Sequence, residues 1–229
     1  MEIHKGIEIV DLGLKFKNTL IIGDLQIGYE ESLNKQGFMI PRFQLEEIIK
    51  RLTKIFSKHK FKRIILNGDV KHEFGRISDQ EWRDTLKVID FLSQYGEVII
   101  VKGNHDTILD PIAKKRNIRM IDYFREGDIT ILHGHKLIPS LTKVIIIGHE
   151  HPAVSFKERR DEKFKCFLKG KYGKSILIVM PSFEVLTIGS DVTKSNRLSP
   201  FLQGDLSDFE VYVVEDKVYK FGKLKNILE

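Results

Sequence analysis

Five segments of this chain share one grammar: a short apolar run stops at glycine beside Asp, Asn or His. They are IIGDLQ (21–26), IILNGDVKH (64–72), IIVKGNHD (99–106), ITILHGH (129–135) and VIIIGHEH (144–151). Each apolar run reads as a buried strand, and each polar cap as the turn that ends it. In an open α/β sheet, ligands bind at the carboxyl ends of the strands, so five such ends can converge on one rim. Six of the eight histidines fall just past these runs, whereas His4 and His59 read as surface or hydrogen-bonded residues. A lone Asp or Asn after a strand is ordinarily a turn residue or cap. Five such signals in series are not.

The residue types at these ends are nitrogen and oxygen donors without sulfur: Asp24, Asp69, Asn104, His133, His149 and His151. Carboxylates, an amide and imidazoles together suit two borderline divalent metals about 3.5–4 Å apart. One carboxylate then has to bridge, and Asp69 is the candidate. His149 and His151, two apart, point the same way on a strand; in a turn each can serve a different metal.

The rest of the chain supplies a frame. Residues 3–10 and 14–22 are predicted strands around the Asp11-Leu12-Gly13 turn signal. A helix is predicted over 41–58, with Pro41 in its first turn, and another over 78–95, with Ser78 as its cap. Further strands are expected at 63–67, 97–101, 118–121, 128–132 and 143–147. Hairpins are expected at 163–169/175–180 and 209–214/217–221. Without repeats or linker-like stretches, residues 1–229 read as one α/β domain with sheets between helices.

Composition excludes several classes. A single cysteine, Cys166, rules out an internal disulfide and a Cys-rich zinc site and suits a reducing cytoplasm. No apolar run reaches the roughly 18 residues of a membrane-spanning helix, and the N-terminus lacks a signal-peptide core. The net charge of +6 permits anionic partners without demanding them. GKYGKS (170–175) ends like a phosphate-binding loop, but Leu168 stands where the pattern needs glycine and a strand follows, so a hairpin turn is expected. The basic runs at 61–63 and 157–160 read as solvated faces, since no aromatic stacking platform is interleaved with them.

These blocks resemble the calcineurin-like metallophosphoesterase superfamily: Asp24-Leu25-Gln26, Gly68-Asp69-Val70-Lys71, Gly103-Asn104-His105-Asp106, His133-Gly134 and Gly148-His149-Glu150-His151. DLQIGYEESLNKQGFMIPRFQ (24–44), GDVKHEFG (68–75), MPSFEVLTIG (180–189) and SPFL (199–202) look like a small archaeal and bacterial branch related to the DNA-ligase-associated phosphoesterases. The resemblance implies a four-layer α/β/β/α sandwich with a dinuclear site at the strand ends. It implies one metal on Asp24, Gln26, Asp69 and His151, and a second on Asp69, Asn104, His133 and His149. Manganese is the first choice, with iron, zinc or nickel as alternatives. His105 resembles the family's catalytic acid, with Asp106 as its orienting partner. Gln26 stands where the family has His, and an amide oxygen is a weaker donor than imidazole for most transition metals.

The expectation is therefore a cytoplasmic, metal-dependent phosphoesterase, a phosphodiesterase rather than a monoesterase. Hydrolysis would proceed by in-line attack of a metal-bridging hydroxide on a phosphoester substrate, a nucleotide or nucleic acid among the options. His72, His135 and Arg42 are the substrate-side candidates. The alternative, motivated by Gln26, is a degenerate, non-catalytic scaffold that binds phosphate or nucleic acid.

Overall fold

The computed structural model describes residues 1–156, 159–194 and 196–228, so residues 157 and 158 of the basic run lie outside the described residues. The chain first lays down a sheet in the order β1 (Glu2–His4), β2 (Ile7–Val10), β3 (Gly13–Phe16), β4 (Thr19–Gly23), β5 (Arg63–Asn67), β6 (Glu97–Val101), β7 (Arg119–Ile121). The first four strands form an antiparallel meander, and β4 to β7 run parallel. Two strands were expected where four occur. The chain reverses at Gly6 (φ 71°) and Lys17 (φ 51°), left-handed positions that end an extended run.

The second sheet contains β8 (Tyr123–Glu126), β9 (Ile129–Leu132), β10 (Val144–Ile147), β11 (Pro152–Phe156), β12 (Arg159–Tyr172), β13 (Ser175–Val179), β14 (Ser190–Asp191), β15 (Glu210–Val214) and β16 (Val218–Lys223). Here β9, β10 and β13 run parallel at the centre. The GKYGKS segment does close a hairpin, with Tyr172 opposite Ser175.

Alternation along β10 shows how the layers stack. Val144 and Ile146 join one buried cluster with Ile21, Ile65 and Ile100 of the first sheet. Ile145 and Ile147 join a second cluster with Phe201, Leu202 and Leu206. A strand buried on both faces is apolar throughout, as VIII is. Each such fully buried side chain contributes roughly 1.5–3 kcal/mol.

Helices α1 (Tyr29–Lys35), α2 (Gln44–Phe56), α3 (Asp79–Ser93), α4 (Asp110–Lys115) and α5 (Leu224–Leu228) complete the layers. Ile48 and Leu52 of α2 and Val88 and Leu92 of α3 pack into the first cluster, and Leu224 and Ile227 into the second. The α3 start matches its sequence signal, a capping box in which Ser78 Oγ accepts from Glu81 N and Glu81 Oε2 from Ser78 N. Helix α2 begins later than Pro41 suggested. Its cap is Glu30 of α1, whose Oε2 accepts the Phe43 and Gln44 amides at 3.0 Å each. Among the described residues no helix is long and apolar enough to cross a membrane.

Candidate metal centre

Strand register brings the sequence blocks together. Gly23, Asn67 and Val101 sit level on β4, β5 and β6, so the turns that follow carry Asp24, Asp69 and Asn104 out at one height. The turns after β9 and β10 carry His133, His149 and His151, tied by Gly148 N donating to His133 O at 2.9 Å. The first sheet thus supplies the carboxylates and amide, and the second supplies the imidazoles. The segment after β13 clamps the two, with Phe183 N donating to Gly23 O and Glu184 N to Asp24 O.

Backbone strain concentrates here. Among the described residues eight non-glycines have positive φ, and five are Asp24, Gln26, Asp69, His149 and His151. Such conformations cost of order 1–3 kcal/mol each and persist only where surrounding structure enforces them. Close packing is equally demanding. A Cβ on Gly103 would lie 2.1 Å from Asp69 Oδ1, and one on Gly148 2.5 Å from Asp24 Oδ2. Glycine at those strand ends is what lets two turns close on a carboxylate.

The donor atoms converge with too few protons to satisfy one another. His133 Nε2 lies 3.3 Å from Asp69 Oδ2, 3.1 Å from Asn104 Oδ1 and 3.1 Å from His149 Nδ1. One ring nitrogen carries at most one proton, so it can satisfy only one of these groups. A divalent cation satisfies them together, and the ligand atoms of Asp69, His133 and His149 all lie within 4.8 Å of one another. Beside them, Asp24 Oδ1 and His151 Nε2 are buried without a hydrogen-bond partner among the described residues, though 3.2 Å apart. The residues present therefore fit divalent metal.

Protonation in the metal-free protein follows from the same crowding. Burial pulls the His133 imidazolium down, but Asp24 and Asp69 outweigh it and push its pKa up to about 9. Burial and the neighbouring His133 charge lower His149 and His135 to about 4 each. Burial opposes the Asp69 charge, yet the His133 contact and the His105 amide hold its carboxyl far below the usual range. Burial, aided by Asp69, pushes Asp106 up to about 6.

Around this centre the other expected residues divide. His105 donates its backbone N–H to Asp69 Oδ1 at 2.9 Å, and its ring Nδ1 contacts the His72 carbonyl. A carbonyl only accepts, so Nδ1 carries the proton and Nε2 is the nitrogen left toward Asp69, 3.9 Å from Oδ2. The expected orienting role of Asp106 goes instead to that carbonyl. The buried Asp106 carboxylate accepts Val70 N at 3.0 Å and Gly103 N at 2.9 Å, bracing two site turns. Gln26 reaches the centre, but its Oε1 accepts from His72 Nδ1 at 2.8 Å while Nε2 donates to Asp69 Oδ2 at 3.3 Å. His135 stands beside His133, ring centroids 5.3 Å apart. Arg42 pairs with Glu31 on an exposed face, without a contact to the cluster among the described residues.

Sequence reasoning missed several neighbours. Glu150, buried between the two histidines of the last block, accepts the Leu198 and Ser199 amides at 2.9 Å, and Ser199 Oγ donates to Gly134 O. SPFL therefore braces two site turns, and a buried acid inside Gly-His-Glu-His is the signal that could have shown it. Tyr29 lies against the His72 ring, centroids 4.3 Å apart, and Phe74 meets the His105 ring edge-on at 5.7 Å. Both lie inside segments that carry the resemblance, 24–44 and 68–75, but no spacing or residue pattern within them marks the two rings.

A family profile described as Calcineurin-like phosphoesterase matches residues 17–170. The fold is similar to that of the Pseudomonas putida nuclease MPE, with a TM-score of 0.65 at 18% identity over 92% of each chain. The protein of unknown function AQ665 from Aquifex aeolicus matches at a TM-score of 0.39 and 19% identity, over 58% of this chain and 78% of that one. No curated protein gives a significant sequence match.

Proposed function

The chain belongs to the calcineurin-like phosphoesterase family, and from that premise we propose that it is a two-metal phosphodiesterase acting on nucleotide or nucleic-acid phosphodiesters. The observation that carries the reading is the convergence of unprotonated donors from both sheets on His133 Nε2. Asp69, Asn104, His133 and His149 would hold one ion. Asp24, Asp69 and His151 would hold the other, with Gln26 joining only if its oxygen leaves His72. Manganese suits this nitrogen and oxygen set. Bound there, divalent ions supply charge stabilisation for the phosphoryl oxygens and lower the pKa of water.

The protein's own groups do the remaining work. His105, held through Nδ1–H by the His72 carbonyl, would deliver a proton to the leaving oxygen from Nε2, a step that requires the ring to carry a proton on both nitrogens and leaves it neutral with Nδ1–H intact. Asp106 keeps the turns after β5 and β6 in register. Charge favours a diester. The Lys71 ammonium, beside the Gly68-Asp69 block, is turned inward onto the Glu73 and Arg76 carbonyls rather than offered to the terminal oxygens of a monoester dianion. That a nuclease has this fold supports the same choice.

The test compares manganese-loaded protein on bis(p-nitrophenyl) phosphate and p-nitrophenyl phosphate. The reading expects chelator-sensitive hydrolysis with the diester preferred. Inertness on both, at full metal occupancy, refutes it and favours the non-catalytic scaffold.

A further inference from the structure

Just outside the metal centre, the chain commits two buried charges to one short turn. Lys71 is fully enclosed, and its ammonium donates to the carbonyls of Glu73 and Arg76, the latter at 2.9 Å. From the other side, the buried carboxylate of Glu81 accepts Glu73 N at 2.7 Å and Ser78 N at 2.8 Å. Burying charge is unfavourable unless it is well bonded, so this turn is held at a cost. What it presents is Phe74, 65% exposed. An exposed phenyl ring adds almost nothing to stability, and a single one on a surface is ordinary. The location of this ring is not ordinary.

Phe74 stands edge-on to His105, at an interplanar angle of 87°. It forms one wall of a cleft of about 440 Å³ that Lys102, Asn104, His135 and Lys136 also line, together with the buried Asp106 and with Asp122, the partner of Lys136. Asn104 and His105 belong to the centre proposed to bind the scissile phosphate. Lys102 and Lys136 have solvent-accessible side chains and pair loosely with Asp110 and Asp122, at 3.6 and 3.7 Å, beyond hydrogen-bond distance, so a phosphate can compete for each. His135 Nδ1 is buried there without a hydrogen-bond partner among the described residues. An aromatic face, two cations and an unpaired ring nitrogen beside a phosphate site match a nucleotide: base on the ring, flanking phosphates on the lysines.

We propose that Phe74 is a stacking platform for an unpaired nucleobase next to the scissile phosphate, making single-stranded nucleic acid the substrate class. This rests on the phosphodiesterase reading. Both faces of a base inside a duplex are covered by its neighbours, so only an unstacked base can lie on Phe74. The platform is absent from the basic runs because it is not near them in sequence. It is assembled by the turn after the Gly68-Asp69 block and the turn after β6.

The test uses full-length, manganese-loaded protein and three strands of equal length: single-stranded oligothymidylate, the same backbone with abasic residues, and a blunt duplex. Bis(p-nitrophenyl) phosphate reports separately on the underlying chemistry. Wild type is expected to favour oligothymidylate over the abasic strand by about five- to 150-fold in kcat/KM, the range for one base–aromatic stack, and to cut the duplex poorly. In Phe74→Ala that ratio should collapse toward one, and in Phe74→Trp it should be retained. Thermal melting confirms that both variants fold. Activity on bis(p-nitrophenyl) phosphate with no preference for base-bearing strands, or with the same preference in Phe74→Ala, overturns the stacking role alone. Inertness on every substrate overturns the phosphodiesterase reading and this inference with it.

Discussion

His133 should make metal affinity steeply dependent on pH. In the metal-free protein Asp24 and Asp69 overcome burial and hold its pKa at about 9, so at pH 7 the ring carries two protons. Metal takes Nε2, so the proton there must leave on binding. The sign follows: below pH 9 each unit of acidification costs about tenfold in apparent affinity, and above it the dependence from this residue ends. Between pH 7 and 9 that amounts to about 100-fold, or about 2.8 kcal/mol. His149 does not compete in this window, since burial and the His133 charge place it at about 4. Manganese affinity would be measured by competition with a fluorescent chelator at pH 7, 8 and 9. Calorimetry in buffers of different ionisation enthalpy counts the protons released; at pH 7 His133 gives about one, and His151, whose charge burial disfavours but Asp24 holds above its ordinary value, adds to it. An apparent Kd that is flat from pH 7 to 9, with no proton released, would refute a charged His133 inside the cluster.

Three further outcomes follow from the same geometry. Asp69→Asn should lose both metals together and nearly all activity, because Asp69 contacts His133, Gln26 and His105; elemental analysis showing two metals per chain refutes the bridge. His105→Ala should lower hydrolysis of nucleoside or alkyl diesters roughly 10²–10⁴-fold while relatively sparing nitrophenyl esters, whose leaving group needs little protonation; equal losses point to a metal-positioning role. Gln26→His should shift the manganese activation curve to lower concentration, since imidazole is the stronger donor; identical midpoints in both proteins show that Gln26 is no handicap.

The convergence of donor side chains at the strand ends was largely legible because its grammar is local. An apolar run followed by glycine and a donor specifies strand, turn and ligand within a few residues, and the parallel register of β4, β5 and β6 does the rest. Strands 63–67 and 97–101 and the Ser78 cap were readable for the same reason. What was hidden depends on partners distant in sequence. Helix α1 shows no apolar stripe because its buried residues include Glu30 and Ser32, with Glu30 serving α2. Gln26 looked like a weakened ligand until His72, 46 residues away, appeared on its oxygen. Asp106 was expected to orient His105, whereas among the described residues its carboxylate accepts the Val70 and Gly103 backbone amides, a role that no side-chain pattern announces. Phe74 is hidden for the same reason: the turn that exposes it is held from within by the Lys71 ammonium and by the Glu81 carboxylate, which lies on the next helix.

Crystals of the protein soaked in manganese, with diffraction recorded at the manganese absorption edge, would locate the ions themselves. Two anomalous peaks that share Asp69 are expected, one against Asn104, His133 and His149 and the other against Asp24 and His151. Peaks absent from this cluster at saturating manganese, or a single peak with Asp69 turned away from it, would contradict the two-metal centre.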